Sequence, residues 1–116
     1  MEIMKDFVKF VKEHSFNVSL LYSMNALTGE LGELANVVKK EMIYDMVPQY
    51  AKRVDKGVKK ETRLSFRDQF IDESGDTLFY FIQALNERGV TIDEVISAQI
   101  IKMDRLSLKN NKIYKK

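Results

Sequence analysis

Two pairs of acids carry the spacing on which chemistry can be built: Glu30 with Glu33, and Glu73 with Asp76. A spacing of three puts both members of a pair on one flank of a helix. On a wheel of 100° per residue, Glu30 lies about 80° from the centre of the apolar seam Leu27/Leu31/Leu34, so it borders that seam. Glu73 and Asp76 share a flank with Tyr80 on a segment that is apolar elsewhere. Like charges side by side on a wet helix cost only about 0.2–0.5 kcal/mol. Bringing both pairs to one partly buried place costs more. At ~6 Å and an effective dielectric of 20, each carboxylate pair repels by about 3 kcal/mol. Such a cluster persists with cations between the helices, or with raised pKa values. Four oxygen donors without sulfur or imidazole suit Mg²⁺, with Mn²⁺ as an alternative. The competing reading of each pair is an ordinary solvated flank, and spacing alone does not separate the two.

The elements that must position these acids are helical. Ile3, Phe7, Phe10 and Val11 space an amphipathic helix over residues 2–13, with a break at His14 to Asn17. Leu20, Met24, Leu27, Leu31, Leu34 and Val38 recur in steps of four and three, the packing seam of a bundle or coiled coil. Ser19 or Asn17 can cap this helix, which runs on toward Pro48, where a helix interior cannot continue undisturbed. Residues 51–64 carry Gly57 and most of the central basic charge, and read as a mixed loop with room for a short helix. Ser65 with Asp68 caps a third helix that Arg88-Gly89 stops. Its Leu78-Phe79-Tyr80-Phe81-Ile82 run is apolar all round, the mark of a helix surrounded by protein. Thr91-Ile92-Asp93-Glu94 is a capping box for a fourth helix, striped by Ile92, Val95, Ile96, Ile100, Met103 and Leu106. Residues 110–116 read as a frayed tail. The expected fold is all-α: a single-domain four-helix bundle over residues 1–116 that oligomerises through its helices, since one bundle of this length buries only a modest core.

Composition narrows the function classes. The 116 residues include no cysteine and one histidine, His14. That excludes a disulfide scaffold, a cysteine nucleophile, thiolate metal sites and any site needing two imidazoles. His14 reads as a polar residue at a helix end. No apolar run approaches the length of a membrane span, and the first residues lack the apolar core of a signal peptide, so a cytoplasmic location is expected. The net charge of +2 is uneven: residues 52–63 carry +4 and residues 102–116 carry +5, leaving −7 on the remainder. Basic segments beside an acidic body suit a phosphate-bearing partner.

The acids lie inside longer strings. Gly29-Glu30-Leu31-Gly32-Glu33-Leu34-Ala35 resembles the GE-x-GELAE segment of MazG-like nucleotide pyrophosphohydrolases. Asp72-Glu73-Ser74-Gly75-Asp76-Thr77-Leu78-Phe79-Tyr80 resembles their second motif, (E/D)E-x-(G/S)D-V-L-x-Y. Gly89 to Val95 resembles the turn into their last helix. Lys102-Met103-Asp104 followed by Arg105 is similar to the closing K-x-x-(x)-R region, nearest to the dCTP pyrophosphatase branch. That branch also carries glycine at the position of Gly29, where the wider family often has glutamate. The stretch between Glu33 and Glu73 is longer than is usual in the family.

The resemblance implies an all-α nucleoside triphosphate pyrophosphohydrolase that works as a homodimer or dimer of dimers. Glu30, Glu33, Glu73 and Asp76 match its Mg²⁺ ligands. Glu30 or Glu33 is then expected to orient the attacking water, with the choice open. Lys102 and Arg105 are expected to neutralise the outgoing pyrophosphate. Asn25, one turn before Glu30, is a candidate for a hydrogen bond to base or sugar. Phe16, Tyr22, Tyr44 and Tyr80 are available as an aromatic platform for a base, though none is singled out. Neither a membrane nor a nucleic acid is an expected partner. The alternative function is a non-catalytic helical module that binds nucleic acid, or regulates, through residues 52–63 and the tail. Against it stand the lack of a helix-turn-helix signature and of aromatics among the basic residues of 52–63.

Overall fold

The computed structural model describes residues 2–15, 19–57 and 65–109. They form α1 (Glu2–His14), α2 (Leu20–Met46), α3 (Pro48–Gly57), α4 (Phe66–Arg88) and α5 (Ile92–Lys109). No strand occurs among the described residues, so the all-helical expectation holds. None of these helices is long and apolar enough to cross a membrane.

The helix ends follow from local chemistry. His14 closes α1, with its Nδ1 2.9 Å from the Phe10 carbonyl oxygen. Ser19 caps α2, its Oγ accepting from the Tyr22 backbone N–H at 3.2 Å. Pro48 ends α2 indirectly, by forcing Val47 into an extended conformation at φ −123° and ψ 100°. Ser65 caps α4 through the Asp68 N–H at 3.0 Å. At the other end Gly89 takes φ 75°, which L-residues rarely adopt, and the Val90 N–H reaches back to the Leu85 carbonyl at 2.9 Å. The expected capping box opens α5: Thr91 N–H donates to Glu94 Oε2 at 2.9 Å, and Glu94 N–H donates to Thr91 Oγ1 at 3.1 Å.

The fifth helix, α3, starts ahead of the 51–64 segment, expected as a mixed loop with room for a short helix, and takes up its first part. Pro48 is its first residue, where a missing N–H and a fixed φ favour helix start. Tyr50, Ala51 and Val54 are half-buried at helical spacing, and Tyr44 of α2 donates its hydroxyl to the Asp55 carboxylate at 3.0 and 3.1 Å. Residues 58–64, with the rest of the basic segment, and the tail 110–116 lie outside the described residues.

Packing centres on α2 and α4, with α3 against α2 and α1 against α4. The pair is antiparallel: Ser23 near the start of α2 bonds Gln83 near the end of α4, and Tyr44 near the end of α2 meets Phe66 at the start of α4 with ring centroids 5.3 Å apart. The face that α2 turns inward differs from the expected seam. Leu20, Leu27 and Leu34 are half-buried on it as expected, but the alternate positions are Ser23, Glu30 and Val37. Met24, Leu31 and Val38 are instead 45%, 54% and 39% exposed. α5 packs only marginally on the rest, and its Ile100 is 56% exposed. The Cα radius of gyration is 18.8 Å, against about 13 Å for a compact globule of this length.

Candidate metal centre

Ser23 is fully buried and Gln83 nearly so, and the Gln83 side-chain amide donates to Ser23 Oγ at 2.9 Å. A polar pair in an apolar interface fixes register, because any slip leaves both groups buried and unpaired. Seven residues on from Ser23 stands Glu30, and seven back from Gln83 stands Asp76; at ten residues come Glu33 and Glu73. In an antiparallel pair with a common rise per residue, equal steps arrive at the same level.

The register brings the acids together. Glu30, Glu73 and Asp76 each offer a carboxylate oxygen, all within 4.8 Å of one another. Glu30 and Glu73 are half-buried, while Asp76 and Glu33 are exposed. Glu33 lies outside this tightest set of three but acts on both glutamates. Burial, then the charges of Glu33 and Asp76, a hydrogen bond with Glu33 and the charge of Glu73 push the Glu30 carboxyl above its ordinary range. Burial, the charge of Glu33, a hydrogen bond with it, and then the charges of Asp76 and Asp72 do the same to Glu73. Every one of these influences is unfavourable to the charged form, and no lysine or arginine among the described residues offsets them.

A divalent cation fits this arrangement. Glu30 Oε2 and Glu73 Oε2 are buried with no hydrogen-bond partner among the described residues. A Mg²⁺ ion takes oxygens at about 2.1 Å, about 4.2 Å apart when opposite, so carboxylate oxygens within 4.8 Å of one another are near enough to share one. The donor set is all oxygen, as hard cations prefer. Gly29, Gly32 and Gly75 stand beside Glu30, Glu33 and Asp76, and a Cβ added at any of them would meet nothing within 4 Å. The helix surface flanking the acids is therefore bare, at about 1 kcal/mol of helix propensity for each glycine.

The other expected residues are more dispersed. Asn25 is exposed on α2, more than a turn from Glu30. Lys102 and Arg105 are exposed on α5 and are not among the groups acting on Glu30 or Glu73. Of the aromatics, Tyr80 joins the acids: burial, then the charges of Tyr22, Glu30 and Asp76, hold its phenol above the usual range. Tyr44 is taken up by Asp55 and Phe66 at the far end of α2, and Phe16 lies outside the described residues. Sequence reasoning missed Ser23 and Gln83. Their signal was a polar residue at each of two positions that continue the heptad spacing of the acids.

No protein-family model, curated protein sequence or solved structure matches the chain.

Proposed function

We propose that this protein is a divalent-cation-dependent nucleoside triphosphate pyrophosphohydrolase of the MazG-like kind. The observation that carries this reading is the convergence of Glu30, Glu73 and Asp76 from two helices, with two buried carboxylate oxygens that have no hydrogen-bond partner among the described residues. Carboxylates so arranged repel both one another and a triphosphate, so the reading requires Mg²⁺ or Mn²⁺ between them. The metal, when bound, supplies Lewis-acid stabilisation of the phosphate oxygens. Glu30, Glu73 and Asp76 hold it, with Glu33 completing the set of acids. Either Glu30 or Glu33 orients a water toward the α-phosphorus and accepts its proton. The new P–O bond forms as the bridging α–β bond breaks, giving a nucleoside monophosphate and pyrophosphate. The bare surface at Gly29, Gly32 and Gly75 leaves room for a phosphate chain to approach.

The single chain is open, and the proposal includes a second copy. Met24, Leu31 and Val38 form an exposed apolar stripe on α2, and Ile100 and Ile101 are exposed on α5. Exposed apolar stripes of this length mark protein contacts. A homodimer, or a dimer of dimers, covers them and completes a four-helix bundle. It also gives Lys102 and Arg105 a route to the acids of the other copy, where they neutralise the leaving pyrophosphate.

Incubation of the pure protein with a panel of ribo- and deoxyribonucleoside triphosphates and Mg²⁺, with products resolved by phosphorus NMR, tests the reaction. Monophosphate and pyrophosphate are expected in equal amounts. Orthophosphate in place of pyrophosphate, or no turnover across the panel, overturns it.

A further inference from the structure

We propose that the cleft between α1, α4 and the first turn of α5 is a binding site for a small amphiphilic carboxylate. The cleft has a volume of about 400 Å³, within the range of small-molecule sites. Val8, Ile82, Leu85 and Ile96 make its walls aliphatic. From α1, Lys5 and Lys12 join Val8 on the same lining, being three and four residues from it. Asn86 contributes a polar group to the lining, and its Nδ2 is buried with no hydrogen-bond partner among the described residues. Neither lysine is in an ion pair with a described residue; the ion pair on α1 joins Lys9 to Glu13. Asp93 also lines the cleft, so its charged groups sum to one positive charge.

This chemistry selects the ligand. The unpaired amide of Asn86 and the two ammonium groups are donors and outnumber the Asp93 carboxylate, so they favour a ligand whose polar end accepts. The lysines favour an anion, and the single net charge matches one carboxylate better than a multiply charged phosphate. The aliphatic walls take an alkyl body and remove it from water. A cation would meet two lysines, and a neutral alkane would leave the Asn86 amide unpaired. The site is separate from the acids: Asp76 to Asn86 is ten residues on α4, about 15 Å along the axis. The proposal stands whether or not the protein hydrolyses nucleotides.

The test is an NMR titration of the isotope-labelled full chain with sodium octanoate, and separately with octylamine. Octanoate is expected to shift the Asn86 side-chain amide and the methyl groups of Val8, Ile82 and Leu85 saturably, and octylamine is not. Lys5→Gln combined with Lys12→Gln alters only exposed side chains, and is expected to weaken octanoate binding at least tenfold with the spectrum still dispersed. Asn86→Leu is expected to weaken it as well. Three results would overturn the proposal: no saturable shift in the cleft, equal shifts with octylamine, or undiminished binding by the double variant. A fourth is cleft resonances that move with protein concentration and ignore octanoate, which would make a second copy the occupant.

Discussion

The side-chain amide of Gln83 donates to Ser23 Oγ at 2.9 Å inside the α2–α4 interface, and both residues are buried. This one bond between distant parts of the chain sets the level at which Glu30 meets Asp76. Removing the hydroxyl should therefore harm the acids as well as stability. Ser23→Ala leaves the Gln83 amide buried and unpaired, at a cost of about 1–3 kcal/mol. Chemical denaturation should read that loss, and calorimetry should show weaker Mn²⁺ binding. Ser23→Ala with Gln83→Leu should recover stability, because both polar groups are gone, but not the metal affinity. Unchanged Mn²⁺ affinity in both variants would separate the pair from the site.

The acids should destabilise the metal-free protein at neutral pH. Glu30 and Glu73 bind their protons more tightly folded than unfolded, where the ordinary value is 4.5. Between that value and the raised folded one, the folded state holds more protons, so stability falls as pH rises through the window and the penalty is full above it. Glu30→Gln or Glu73→Gln should then raise Tm in EDTA at pH 7.5 and change it little at pH 4. Thermal scans at the two pH values check the sign; a lower Tm at pH 7.5 for both variants would contradict it.

Cation binding should invert that penalty. Mn²⁺ or Mg²⁺ at a hundred times its Kd should stabilise the folded chain by about 2.7 kcal/mol. EDTA should reverse the gain, and Glu73→Ala should abolish both the gain and turnover while the far-ultraviolet circular dichroism stays helical. A Glu73→Ala protein that keeps the Mn²⁺ shift in Tm would remove this residue from the site.

Two glycines should respond oppositely to the same change. A Cβ meets nothing at Gly32 or at Gly89, but only Gly89 has a positive φ, 75°. Gly32→Ala should stabilise by up to about 1 kcal/mol, since alanine is the better helix former. Gly89→Ala should destabilise by about 1 kcal/mol, since alanine must take a left-handed conformation. Paired denaturation curves decide this, and equal signs would refute it.

Helix ends were legible because caps are local: Ser65, Gly89 and the Thr91/Glu94 box act within four residues of chain. Pro48 was read as a stop and is also a start, since the same fixed φ that breaks one helix opens the next. The pairing of Glu30 with Glu33, and of Glu73 with Asp76, followed from helical spacing. Their convergence did not, because register between helices depends on partners sixty residues apart, such as Ser23 and Gln83. The seam on α2 shows the same limit. Hydrophobicity alone favours Met24, Leu31 and Val38 as inward positions, yet polar complementarity with α4 turns Ser23 and Glu30 inward instead.

Glu30 and Leu31 are sequence neighbours that face different territories of α2, one toward α4 and one outward. A roll of the helix by a single residue position, about 100°, would replace the carboxylate in the crevice by an isobutyl group. Neither flank can therefore be remodelled alone: any drift that re-aims the oily side also re-aims the acidic one.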